Sequence, residues 1–324
     1  MARVALRVLA IAGIAAALSS PHRLPSSSPA LDAVEAAVDA ALAAVPATVP
    51  IEDLAPAERE SAAVARALRR RFDAFGRNGD CRGCWLQRAH CVCGDVAPLD
   101  AAPLRRLYVY MHSKEVLLAV DTAKLLLLAF PGRASLVVAG LRGQAAEAEM
   151  RASLENGDAV VLFPRGDAAP AASLRGRGPL DVVVVDGTWD QARRLDRRLP
   201  GARVDLDARV VARLGAGEGR QLRPHPIKWR EVSTLAATGH LLAALGNGGS
   251  ARLADYQGVA DAAARAQLGP KRPRRTEQSR AMKDQARALG ATFDRAQEGN
   301  FELLEHRRLL GEAAAGTTAS DAVK

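Results

Sequence analysis

Four cysteines, Cys81, Cys84, Cys91 and Cys93, fall within thirteen residues, and the chain has no others. A secreted disulfide framework spreads its cysteines to tie distant segments together. C-x-x-C followed closely by C-x-C instead brings four thiols onto two tight turns, as a tetrahedral metal requires. Structural zinc is therefore the expected ligand, with reduced structural thiols or a redox pair as the alternatives. A second set of reactive groups stands at the ends of apolar runs. His112, Ser113, Lys114 and Glu115 follow one run, Leu162, Phe163 and Pro164 end another, and Asp186, Gly187, Thr188 and Trp189 close a third. Taken singly these have ordinary explanations: Asp186 or Thr188 as a helix cap, Gly187 as a turn, Trp189 as core, and His112 hydrogen-bonded to a carbonyl.

The elements that must position these groups read as an α/β domain. Short apolar runs at 107–111, 135–139, 159–163 and 181–186 are expected strands, and helical spacing marks 116–130, 144–155 and 189–199. A run such as Val182–Val183–Val184–Val185 is apolar on both faces, which suits a parallel sheet covered by helices on each side. Ligands of such sheets bind beyond the carboxyl ends of the strands, where the three polar sets fall.

The 324 residues allow one large catalytic domain with extensions, or two small domains. Residues 77–250 are expected to form the catalytic domain, with the Cys-rich element at 81–93 included. Ahead of it, residues 31–76 read as accessory helix, with Leu31, Val34, Val38 and Leu42 at helical spacing and a second helix after Pro56 that Gly76 ends. Arg69, Arg70 and Arg71 read as a solvated face, with a phosphate contact as the sharper alternative. Residues 251–324 are expected to be a helical, partly disordered extension, entered through a flexible run at 246–250 and carrying a basic segment at 271–275.

Lys and Arg number 45 against 36 Asp and Glu, a formal net charge of +9. That excludes an acidic solvating protein and makes a polyanion a partner worth testing, with composition bias as the alternative. Residues 1–30 contain no acid, carry Arg3, Arg7 and Arg23, and include an apolar stretch too short to span a bilayer. The expectation is a targeting segment for an organelle, plastid or mitochondrion, or else a disordered extension of a cytoplasmic or nuclear protein. No stable membrane association is expected.

From Cys81 to about Leu245 the chain resembles the DTW-domain family, the tRNA-uridine aminocarboxypropyltransferases. The ordered elements that carry the resemblance are C-R-G-C and C-V-C-G, the strand end H-S-K-E, Asp121-Thr122, L-F-P, and D-G-T-W followed by Gln191, Ala192 and Arg193. Gln221, Leu222, Arg223 and the segment from Ser233 to Ala237 follow them. The chain departs from the family pattern at Ser113, where Pro is usual, at Asp121, where Asn is usual, and at Ala236, where Glu is usual.

The resemblance implies transfer of the 3-amino-3-carboxypropyl group from S-adenosylmethionine to N3 of a uridine in tRNA, releasing methylthioadenosine. It implies a SPOUT-like parallel sheet flanked by helices, with a knotted cofactor site. Among the residues matching the motifs, Asp186, Thr188, Trp189, His112 and Glu115 are the expected catalytic set. Leu162, Phe163, Pro164, Gly187, Ser233 and Thr234 are expected to hold the cofactor, and Arg193, Arg194, Arg197 and Arg223 the RNA. A SPOUT-like RNA methyltransferase, an aminocarboxypropyltransferase acting on ribosomal RNA, and a non-catalytic zinc-containing RNA-binding protein are the rival readings.

Overall fold

The computed structural model describes residues 28–45, 49–50, 53–206 and 233–268. Six strands form one all-parallel sheet: β1 (Leu104–Met111), β2 (Ala134–Val138), β3 (Ala159–Leu162), β4 (Ala169–Pro170), β5 (Leu180–Asp186) and β6 (Ala202–Asp205), in the order β2-β1-β5-β3-β6-β4. The chain moves outward from β1 to β2, crosses to β3 on the other side, and later inserts β5 between β1 and β3. The strand order thus reverses beside β1 and β5, the place where such sheets open a crevice at their carboxyl ends.

The central strands are buried on both faces. Leu107, Val109 and Met111 of β1 and Val182 and Val184 of β5 enter one apolar cluster, while Tyr108, Tyr110, Val183 and Val185 enter the other. On the first face lie α1 (Pro29–Ala44), α2 (Pro56–Asn78), α3 (Lys124–Ala129), α6 (Thr234–Ala244) and α7 (Ala251–Leu268); on the second lie α4 (Ala145–Glu155) and α5 (Trp189–Asp196). Period-two alternation along each strand therefore feeds two cores at once. Among the described residues no helix is long and apolar enough to cross a membrane.

Several elements differ from the sequence expectation, each for a local reason. Helix 116–130 shrinks to α3, because residues 113–123 form successive turns with Leu117 at φ 64°. The Ala119 carbonyl, which a continuous helix would pair with one of its own amides, accepts from Lys124 Nζ, and the Leu118 carbonyl accepts from both the Asp121 amide and Lys124 Nζ. Helix 189–199 ends at Asp196, where the Arg203 guanidinium takes the carbonyls of Asp196, Leu199, Pro200 and Gly201. The helix ahead of the cysteines runs past Gly76 to Asn78 and stops at Gly79, whose φ of 66° is the left-handed cap that glycine favours.

The 246–250 run, expected to be flexible, is an anchored turn. Asn247 Nδ2 donates to the carbonyls of Asp100 and Ala102, and Asn247 Oδ1 accepts from the Gly249 amide. Helix α1 packs on α2 and β2, and its Leu31, Val34 and Val38 share a cluster with β1. The knot implied by the resemblance depends on the path through 207–232, which lies outside the described residues, as do residues 1–27 and the basic segment 271–275.

Candidate functional site

Met111 and Asp186 are register partners, and the His112 amide donates to the Asp186 carbonyl over 2.9 Å, so the ends of β1 and β5 are fastened together. Beyond β1 the chain turns sharply: the Glu115 amide donates to the His112 carbonyl (2.9 Å) and the Lys114 amide to His112 Nδ1 (3.1 Å). Burial lowers the His112 pKa, with Glu115 opposing, so the imidazole is neutral at pH 7. With Nδ1 accepting, its proton resides on Nε2, which makes the ring a donor toward anything bound there.

Asp186 is buried. Its Oδ1 accepts from the Thr234 hydroxyl over 2.7 Å, while Oδ2 is enclosed with no hydrogen-bonding partner. Asp121 lies beside it, also buried, with its Oδ1 accepting from the Lys124 amide at 3.1 Å. Burial holds the Asp186 carboxyl well above its ordinary range, and the neighbouring Asp121 and then Glu115 add to the effect. Asp121 is raised too, chiefly by burial. Two adjacent carboxyls in a dry setting cannot both ionise freely, so the pair holds a proton at a pH where solvated carboxyls have lost theirs. Glu115, only 4% exposed, completes a buried acidic group drawn from the ends of β1 and β5 and the turn before α3.

The remaining expected residues separate by what their polar atoms do. Thr188 is the N-cap of α5: its hydroxyl accepts from the Gln191 amide and Gln191 Oε1 accepts from the Thr188 amide, a reciprocal capping box. Ser233 caps α6 through the Ala236 amide and donates to Gln257 Oε1. Thr234 is the hydroxyl of that pair that reaches Asp186. Gly187 packs closely between Asp186 and α5, and a Cβ there would meet Gln191 Cβ at 3.1 Å and His112 Cβ at 3.4 Å. Phe163 and Trp189 lie with ring centroids 6.1 Å apart, tilted by 41°, beside Leu162 and Pro164 at the end of β3.

The arginines of α5 and of the turn after it are not equivalent. Arg193 pairs with Asp190 at 2.5 Å, and Arg198 pairs with Glu60 of α2 at 2.6 Å. Asp196 is held by Arg203 (2.8 Å, both side chains 4% exposed) and by Arg165. Arg194 and Arg197 are exposed with no ion-pair partner among the described residues; Arg223 lies outside those residues.

The four cysteines are free thiols whose Sγ atoms all lie within 4.8 Å of one another. Cys81 is 3.5 Å from both Cys91 and Cys93, and Cys84 is 3.7 Å from Cys91. A tetrahedron with metal–sulfur bonds of about 2.3 Å has sulfur–sulfur edges of about 3.8 Å, close to these separations, so the four donors suit zinc. Hydrogen bonds from Cys84 and the other thiols pull Cys81 down, and the same crowding pushes Cys91 and Cys93 up. A divalent cation would relieve that conflict by stabilising every thiolate.

Three participants carried little or no signal as site residues. Asp121 stands in the sequence as part of the Asp121-Thr122 element and as a departure within it, with no site role attached. Lys124, fully buried, had no sequence mark beyond being the sole charge in K-L-L-L-L-A-F; its ammonium stands 5.7 Å over the Trp85 ring, between the cysteines and Asp121. Burial lowers its pKa to about 8, against the pull of Asp121. Arg71 appeared solvated, yet its Nη1 donates to the carbonyls of Ser113 and Val116. A cleft of about 420 Å³, lined by Pro98, Pro103, Pro131 and Pro179, sits by the starts of the strands, away from these groups.

No curated protein and no solved structure was found to match the chain. The sequence profile of the DTW domain matches residues 78–293, about two thirds of the chain, and that stretch contains the four cysteines, the buried acids and the D-G-T-W turn. The chain belongs to the DTW-domain family.

Proposed function

We propose that the chain transfers the 3-amino-3-carboxypropyl group from S-adenosylmethionine to N3 of a uridine in tRNA, releasing methylthioadenosine. Family membership is consistent with a tRNA-modifying enzyme. The observation that carries the finer reading is the buried Asp186 carboxyl at the strand-order reversal, enclosed beside Asp121 and raised in pKa. Uridine N3 must lose a proton as it attacks carbon, and a base is most effective when its pKa approaches the working pH. A solvated carboxylate is too weak a base for an imide; the Asp121–Asp186 pair is stronger. Neutral His112, donating through Nε2, is suited to an oxygen of the base or of the amino acid moiety rather than to proton abstraction.

S-adenosylmethionine, when bound, supplies an activated carbon next to a sulfonium. The chain's part is to position and to take up a proton. The Thr234 hydroxyl fixes Asp186, the half-buried Trp189 ring beside Phe163 offers an aromatic surface for a purine or the target base, and Arg194 and Arg197 offer exposed cations to the phosphate backbone. The four cysteines would hold zinc as a structural clamp. We further propose that residues 1–30 direct the chain to an organelle, which fusion of that segment to a fluorescent protein would test by imaging.

The deciding experiment is incubation of the purified chain with labelled S-adenosylmethionine and unmodified tRNA, followed by nucleoside mass spectrometry. Aminocarboxypropyl-uridine is the expected product. A methylated nucleoside would replace this reading with a methyltransferase, and RNA binding without any product would replace it with a binding protein.

A further inference from the structure

We propose that α2, which precedes the stretch matched by the family profile, is a working part of the site, and that Arg71 is a positioning residue for the turn carrying His112 and Glu115. The inference rests on the proposed transferase reading for its kinetic consequence but on geometry for its substance. Within the turn, the amides of Lys114, Glu115 and Leu118 are satisfied by His112 Nδ1, the His112 carbonyl and the Glu115 carbonyl. Those bonds leave the carbonyls of Ser113 and Val116, and Arg71 Nη1 donates to both, at 2.9 and 3.1 Å. One guanidinium thereby joins the two halves of an irregular turn whose backbone polar groups need partners.

The other end of α2 is fastened to the same edge of the sheet. Glu60 pairs with Arg198 just beyond α5 and packs against Gly140, where a Cβ would meet its carboxyl at 3.0 Å. The Ser61 hydroxyl accepts from the Arg142 amide in the loop after β2. Glu60 and Arg71 are eleven residues apart, three helical turns, so they lie on one stripe of the helix about 16 Å apart. Val64 and Ala67 fill the stripe between them. A single rigid rod thus touches the segments that follow β1, β2 and α5. The profile begins at residue 78, the last residue of α2, so this strap lies outside the matched stretch.

The test uses the full chain with Arg71→Met and Arg71→Lys. Amide hydrogen exchange should rise roughly tenfold or more in peptides covering 112–118 in both variants, with β1 unchanged. Turnover should fall roughly tenfold to a hundredfold with the KM for tRNA unchanged, since misplaced groups cost rate rather than RNA affinity. Lysine keeps the charge but lacks the guanidinium's spread of donors, so it should not restore protection. Unchanged exchange at 112–118 overturns the proposal. So does rescue by lysine together with a KM effect that salt suppresses, because that would make Arg71 a phosphate contact. If Arg71→Met fails to fold, Arg71→Lys alone decides by the same exchange readout. If the wild-type chain forms no aminocarboxypropyl-uridine, the transferase reading fails, while the exchange result still stands or falls by itself.

Discussion

Asp181 and Asp186 occupy opposite ends of one strand, both less than a tenth exposed, and they differ in almost everything else. Burial pushes the Asp181 carboxyl up, but Arg105, bound through two nitrogens at 2.8 and 3.0 Å, and the Ser153 hydroxyl at 2.7 Å bring it below its ordinary value. Asp186 has one hydroxyl donor, an enclosed oxygen without a partner, and another acid beside it, and it goes the opposite way. The first is satisfied and holds the fold. The second is left wanting, which is costly for stability and useful for moving a proton.

The largest effect that could break this contrast is on turnover. Asp186→Asn should reduce aminocarboxypropyl-uridine formation by about 10²- to 10⁴-fold, the usual scale of a lost general base, while thermal unfolding shows the variant no less stable at pH 8. Similar turnover in the variant would make Asp186 a second structural acid. Next, Asp181→Asn should cost about 2 kcal/mol in denaturant titrations with turnover unaffected; the penalty stays moderate because half-exposed Arg105 can rehydrate.

The pH dependence sharpens the comparison, because the two acids act with opposite sign. Asp181, lowered in the folded chain, contributes stability above the unfolded carboxyl pKa of about 4 that is lost as pH falls through its folded value. Asp186, raised in the folded chain, contributes stability that is complete below about pH 4 and lost as pH rises through its folded value. Asp121→Asn removes the neighbouring acid and supplies an amide donor. It should gain about 1 kcal/mol at pH 8 and little at pH 4, measured as paired urea midpoints. The smallest effect belongs to Arg105→Lys, which exchanges a two-pronged contact for a point charge and should lower the urea midpoint at pH 7 only slightly, less than Asp181→Asn does.

The parts of the fold written as periodicity were legible. β1 and β5 stand out because both faces are apolar, and their polar ends mark the site because chemistry in a parallel sheet collects there. The cysteines declared themselves by spacing alone. The short strands β4 and β6 leave no sequence signal because a two-residue and a four-residue pairing have no period, and Arg203 sits within β6. Helix 116–130 was overread because Lys124, among leucines, turns inward and disrupts the ladder that leucines suggest. The meeting of Asp121 with Asp186 joins positions 65 residues apart and sets acid against acid. No local rule anticipates a contact that stability alone would disfavour.

The late position of β5 in the chain has a consequence for how the protein comes into being on the ribosome. Strands β1 and β3 cannot be joined until residues 180–186 have been made, so each waits with an unpaired edge while more than seventy residues follow β1. The arrival of β5 bridges β1 and β3 and delivers Asp186 to His112 in the same step. Pulse-labelling hydrogen exchange during refolding should therefore find β3 protected no earlier than β5, and a chain that holds Asp186 beside His112 is already a chain whose central strands are joined.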